Sequence, residues 1–216
     1  MYRQEKNIQN IPKRRTNINL PHIIISKDVK EDIMMNEKEN ALVHTCNFMD
    51  VKPIMMDLPY PPIQVKEKNQ TYANLLSMDY CGAVSEMSAI MQYIHNENRL
   101  ACDKCPLAKT ILGIAMAEMI HLQKLGECIF LLGGNINFTA KHRDGRQRMW
   151  TPQYLNLPEK AREILAVNIE SERAAIQQYK KHMEMIKDEH INAVLARIIK
   201  DEEYHIMILQ ALMTEV

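Results

Sequence analysis

The 216-residue chain lacks net charge, because 27 Lys and Arg offset 27 Asp and Glu. It therefore lacks the basic excess on which generic binders of nucleic acid or acidic membranes rely. No uninterrupted apolar run approaches the roughly 18 residues of a membrane span. The early cluster Ile23 to Ile25 is too short even for the core of a secretory leader. Glycine, phenylalanine and tryptophan are scarce, at six, three and one. Cysteine is present five times, an odd number that fits reduced thiols in a cytoplasmic protein better than a disulfide framework. No glycine-rich phosphate loop or serine elbow is present.

Methionine, by contrast, occurs 16 times, a profile that suits a mostly helical protein with a Met-padded core. Six of the nine prolines fall before Ile63, and Arg3, Lys6, Lys13, Arg14 and Arg15 make the first twenty residues basic. Residues 1–68 read as an irregular or partly disordered extension, ending in the stiff Leu58-Pro59-Tyr60-Pro61-Pro62 linker. Residues 69–216 read as one all-α domain. Apolar residues at three- and four-residue steps predict helices over about 70–96, 106–132, 158–186 and 189–213. Short links join the first to the second and the third to the fourth, whereas an irregular stretch over 135–157 joins the second to the third. Two antiparallel pairs and one long crossover make a four-helix bundle.

The helical region repeats itself. Glu86 to Tyr93 reads EMSAIMQY and Glu172 to Tyr179 reads ERAAIQQY, with five of eight positions identical. The second and fourth helices carry AEMIHL, with Glu118 and His121, and DEEYHI, with Glu202 and His205. Among the eight His, these two alone have a Glu three residues earlier. Glu118 and His121 lie on the face of Ile111, Ile114, Leu125 and Ile129, and Glu202 and His205 on that of Ile198, Ile199, Ile206 and Leu209. Glu86 and Glu172 are flanked by Ala83 and Ile90, and by Ile169 and Ile176. Helical spacing thus aims four carboxylates and two imidazoles into one core.

Unpaired, those carboxylates would each cost several kcal/mol. Lys124 and Arg173, the nearest basic residues, sit beside the apolar stripe and not on it. Two divalent cations would cancel four negative charges, and an O/N donor set suits a pair of Fe or Mn ions better than a thiolate-rich zinc site. A single Glu-x-x-His is an ordinary surface pair. Two of them with two repeated Glu, all facing inward, form a metal-site pattern.

From Gln70 onward the chain resembles the ferritin-like superfamily of dimetal-carboxylate proteins, near its rubrerythrin and bacterioferritin branch. The resemblance implies a ferritin-like four-helix bundle in which Glu118 and Glu202 bridge two metals. Glu86 with His121 completes one metal and Glu172 with His205 the other, and catalysis runs through those metals. Tyr93 and Tyr179, seven residues beyond the first and third Glu, are placed to donate to carboxylates or to backbone. The implied activity is a di-iron oxidoreductase acting on peroxide or dioxygen in oxidative stress. Alternatives are a dimanganese catalase, a ferroxidase subunit for iron storage, or a structural bundle. Implied partners are a second copy in a homodimer or higher homo-oligomer, and an external electron donor. Rubrerythrins usually append an iron–sulfur domain, whereas this sequence ends just past its fourth helix. They also tend to carry a further ligand Glu where this chain has Ala175. Met119 adjoins Glu118 as a candidate haem ligand, Cys102-x-x-Cys105 as a candidate thiol pair, and His95 and His182 read as surface or capping groups.

Overall fold

The computed structural model describes residues 46–141 and 144–216; the basic first twenty residues lie outside them. Helix α1 spans Gln70–Cys81, α2 Glu86–Leu100, α3 Cys105–Leu131, α4 Ala161–Met185 and α5 Glu189–Leu212. Four of the five starts have a local cause. Asn69 accepts the Tyr72 N–H at 3.1 Å and Ser85 the Ser88 N–H at 3.2 Å. Pro106 stands in the first turn of α3, where its missing N–H costs nothing. Asp188 accepts the His190 and Ile191 N–H groups. Gly133, at φ 82°, ends α3 in the left-handed conformation that favours glycine.

Three features differ from the sequence expectation. The predicted first helix is two, because Gly82 leaves the helix in an extended conformation (φ −76°, ψ −167°). Ser85 donates to the Gly82 carbonyl at 2.7 Å and caps a fresh start at Glu86. The crossover also contains order. Strand β1 (Thr139–Lys141) pairs antiparallel with β2 (Gln147–Met149) around Asp144-Gly145, and a 3-10 turn follows over Pro152–Tyr154. Trp150 Nε1 donates to Ser88 Oγ at 3.0 Å, fastening the crossover to α2. A smaller, third difference is the start of the third expected helix, which begins at Ala161 and not at Pro158, after an extended Lys160.

The apolar core is in two parts. One cluster includes Leu76, Leu125, Ile129, Ile186, Val194 and Ile198. The other includes Ile111, Ile114, Ile164, Leu165 and Leu209. Each such fully buried side chain contributes about 1.5–3 kcal/mol. Glu118, His121, Glu202 and His205 are buried on the same helices, at sequence positions between the two clusters. Among the described residues α3 alone is long and apolar enough to cross a membrane, with mean hydropathy 1.3, and half of that stretch is buried in the bundle.

The cysteines depart from the all-thiol expectation. Cys46 and Cys105 form a disulfide with Cα atoms 5.5 Å apart. Cys102 and Cys105 are therefore not a joint thiol pair; Cys102 is exposed, and Cys81 and Cys128 are buried thiols. Burial pushes Cys81 up to about 11 and Cys128 to about 12, which keeps both protonated and inert.

Candidate metal centre

The structure brings all six repeated residues together. Ligand atoms of Glu86, Glu118, His121 and Glu202 lie within 4.8 Å of one another, and so do those of Glu118, Glu172, Glu202 and His205. Glu118 and Glu202 belong to both groups. Both imidazoles turn Nδ1 inward. His121 Nδ1 lies 2.8 Å from Glu118, 3.3 Å from Glu202 and 3.7 Å from Glu86. His205 Nδ1 lies 3.0 Å from Glu118, 3.0 Å from Glu202 and 3.7 Å from Glu172. All six are buried.

The outer nitrogens are held too. His121 Nε2 meets Asp201 Oδ2 at 3.1 Å, and His205 Nε2 donates to the Ile54 carbonyl at 2.8 Å. A carbonyl only accepts, so His205 Nε2 carries the hydrogen and Nδ1 is the nitrogen left for a metal. Tyr93 donates to Glu172 and Tyr179 to Glu86, so each half of the repeat steadies the other's carboxylate. Asp201 also accepts from the Met56 N–H at 2.7 Å and Tyr60 OH at 2.8 Å, and pairs with Arg197 at 2.7 Å.

Charge is distributed accordingly. Burial, then the Glu118 and Glu202 charges, raise Glu86 and Glu172 well above the ordinary carboxylate value. Burial opposes the ionised form of Glu118, but the two His overcome it and hold Glu118 well below that value. Burial likewise opposes the charge on His121 and His205, yet the surrounding carboxylates raise both well above the ordinary imidazole value. At Asp201 burial is outweighed by hydrogen bonds from His121, Arg197 and the Met56 N–H, which hold it at about 2.

The donor set fits a pair of metal ions. Each group offers three carboxylates and one imidazole, an O/N set without thiolate, suited to Fe or Mn. Glu118 Oε1 is buried without a hydrogen bond of good geometry, although His205 Nδ1 is 3.0 Å away. An orphaned carboxylate oxygen at the centre of the cluster is what a shared ligand looks like without its cation.

A cavity of about 460 Å³ between α2 and α4 reaches Glu86, Glu172 and Glu202, past Ser85, Ala89 and Ala175. The break at Gly82 shapes its rim, since Ala83 and Val84 line it. On the side of α3 and α5, residues 46–60 cross over the histidines.

Sequence reasoning missed Asp201, the Ile54 carbonyl and one buried pair. Asp201 adjoins Glu202 and reads as an ordinary helix acid. Residues 46–60 have no periodicity to reveal their contacts. His182 is neither surface nor cap; it is buried and pairs with Asp79 at 2.7 Å. Gln178 donates to the same Asp79 at 2.8 Å. His95 is half-buried. Met119 is 43% exposed beside a shallow hollow with Leu122 and Phe130.

The sequence pattern of the rubrerythrin family matches residues 82–213. A protein of Clostridium acetobutylicum described as a probable manganese catalase is 26% identical over 160 residues, covering 66% of this chain and 70% of its own. Among solved structures, a manganese catalase from Anabaena superposes with TM-score 0.65 and 22% identity, covering 74% of this chain and 78% of that one. A bacterioferritin from Mycobacterium tuberculosis superposes with TM-score 0.55 and 23% identity, covering 69% and 89%.

Proposed function

The chain belongs to the rubrerythrin family, and from that premise we propose that it uses a dinuclear metal centre to reduce peroxide. The observation that carries this reading is the pair of four-residue groups sharing Glu118 and Glu202. Glu118 and Glu202 would be common to both ions, Glu86 with His121 would serve one, and Glu172 with His205 the other. When bound, the metal pair supplies the two electrons that divide the O–O bond.

The chain's own residues do the rest. Tyr179 and Tyr93 hold Glu86 and Glu172 by their phenol hydrogens, fixing two of the carboxylates that line the cavity. Asp201 and the Ile54 carbonyl keep both imidazoles in one tautomer, with Nδ1 facing the centre. The oxidant enters between α2 and α4, where Ala175 and Ala89 leave space. Filling that space in Ala175→Phe is expected to lower kcat/KM for peroxide by about 10-fold or more, since a misplaced substrate forfeits orientation. Metal content should be unchanged. Unaltered kinetics in a variant shown to fill the cavity would remove the entry route.

Iron is our first assignment for the pair. The likeness to a probable manganese catalase favours manganese as a second reading, which the same donors accept. Loading with Fe(II) or with Mn(II) separates them. Peroxide disproportionation with dioxygen release in the Mn form alone identifies a catalase. Peroxide loss that requires an added reductant and the Fe form identifies a peroxidase. No peroxide chemistry with either metal overturns the function. We also propose a homodimer, formed through the exposed apolar side of α3 around Met119 and Phe130. A particle mass many times that of a dimer would instead favour a storage shell.

A further inference from the structure

Residues 46–60 have no helix or strand, yet they hold both imidazoles from outside. The repeat explains why they are needed. Asp201 stands directly before Glu202 and holds His121, the histidine of the other half. The matching position before Glu118 is Ala117, which offers His205 no acceptor. The Ile54 carbonyl supplies it instead, at 2.8 Å. Ile54 is itself seated by its N–H on the Gly113 carbonyl at 2.9 Å. That approach requires glycine, because a Cβ at residue 113 would lie 2.8 Å from the Ile54 side chain and 3.0 Å from the Lys52 carbonyl. The same strap satisfies Asp201 through the Met56 N–H and Tyr60 OH. Arg197 in turn grips the Met56 and Leu58 carbonyls and lies 4.5 Å over the Tyr60 ring.

One covalent bond fastens this strap to the bundle before it reaches the histidines, the Cys46–Cys105 disulfide between the strap and the first residue of α3. We propose that residues 46–60 are a positioning strap for His205 and His121, and that its disulfide makes metal retention depend on thiol redox state. A dithiol reductant cleaves the sulfur–sulfur bond, taking the Cys46–Cys105 pair to two thiols while the reductant becomes a disulfide. The strap then loosens, the Ile54 carbonyl leaves His205, and Asp201 loses the two donors that aim it. The inference rests on the metal reading above.

The test uses full-length protein loaded with Mn(II) and challenged with excess EDTA, with and without a trialkylphosphine that cleaves the disulfide. Thiol titration and far-ultraviolet circular dichroism are run alongside. Metal release should quicken about 10-fold on reduction, the lower end of what loss of an outer hydrogen-bond partner causes, with helical signal retained. The Cys46→Ser/Cys105→Ser double variant should release metal at the fast rate whether or not phosphine is present. Gly113→Ala, with its disulfide intact, should also release faster although alanine favours the helix. This arm keeps the test decisive if the double variant fails to fold. Equal release rates in oxidised and reduced wild type overturn the inference alone. Failure of the oxidised chain to bind metal overturns the metal reading and this inference together.

Discussion

Glu118→Ala is expected to leave at most one metal ion per chain in place of two, and to lower peroxide turnover by more than about 100-fold. Loss of an outer hydrogen-bond partner already costs roughly 10–100-fold in affinity or activity, and Glu118 stands inside both four-residue groups. Its two oxygens face different histidines, 2.8 Å from His121 and 3.0 Å from His205. The adjacent positions offer no replacement ligand, since 117 is Ala and 119 an exposed Met. The deletion also removes the carboxylate that both imidazoles raise their charge against. Elemental analysis of the variant after loading, with peroxide consumption measured on the same sample, checks both parts. Two ions per chain in the alanine variant would sink the shared-ligand assignment.

Metal loading should release up to four protons per chain near neutral pH. In the absence of metal the surrounding carboxylates raise both imidazoles well above the ordinary value, which favours the doubly protonated ring. Burial and the Glu118 and Glu202 charges raise Glu86 and Glu172 as well, which favours their protonated forms. Ligation needs neutral imidazole and ionised carboxylate, so all four must leave. Affinity therefore rises with pH, measurable as proton release in weak buffer and as a pH-dependent binding constant. Release of fewer than two protons contradicts this charge distribution.

The same groups set the stability of the metal-free protein. His121, His205, Glu86 and Glu172 have folded values above their unfolded ones. Their contribution is fully present below the ordinary values, 4.5 for Glu and 6.5 for His. It is lost as pH rises toward the folded values, because the native state then binds more protons than the unfolded chain. Glu118, held low, works in the opposite direction only below 4.5. The metal-free melting temperature should thus fall as pH rises from about 6.5, and the loaded protein should not follow it.

The bundle and its inward-facing acids are legible in the sequence because helical spacing fixes which side chains share a face. Glu86 and Glu172, or His121 and His205, announce themselves by repetition. Features that depend on contacts between distant segments leave no such mark. Asp201 differs from a solvent-facing acid through distant partners, His121 80 residues away and Tyr60 and Met56 more than 140 away. The Ile54 contribution is a backbone carbonyl, which no residue type encodes. Cysteine spacing does not specify connectivity, so Cys46 and Cys105, 59 residues apart, could not be paired by inspection. At Gly82 and Ser85 the signals were local, but a continuous apolar rhythm through Leu76, Tyr80 and Ala83 concealed the break.

The unequal supports of the two histidines have one more consequence. A carboxylate stands behind His121 and a neutral carbonyl behind His205. An anionic partner makes an imidazole the stronger electron donor, so a metal held by His121 would meet the more basic ligand. Two chemically identical ions bound here would be inequivalent. Loading is then expected to begin on the His121 side, and a chain supplied with two different metals would have a physical basis for sorting them.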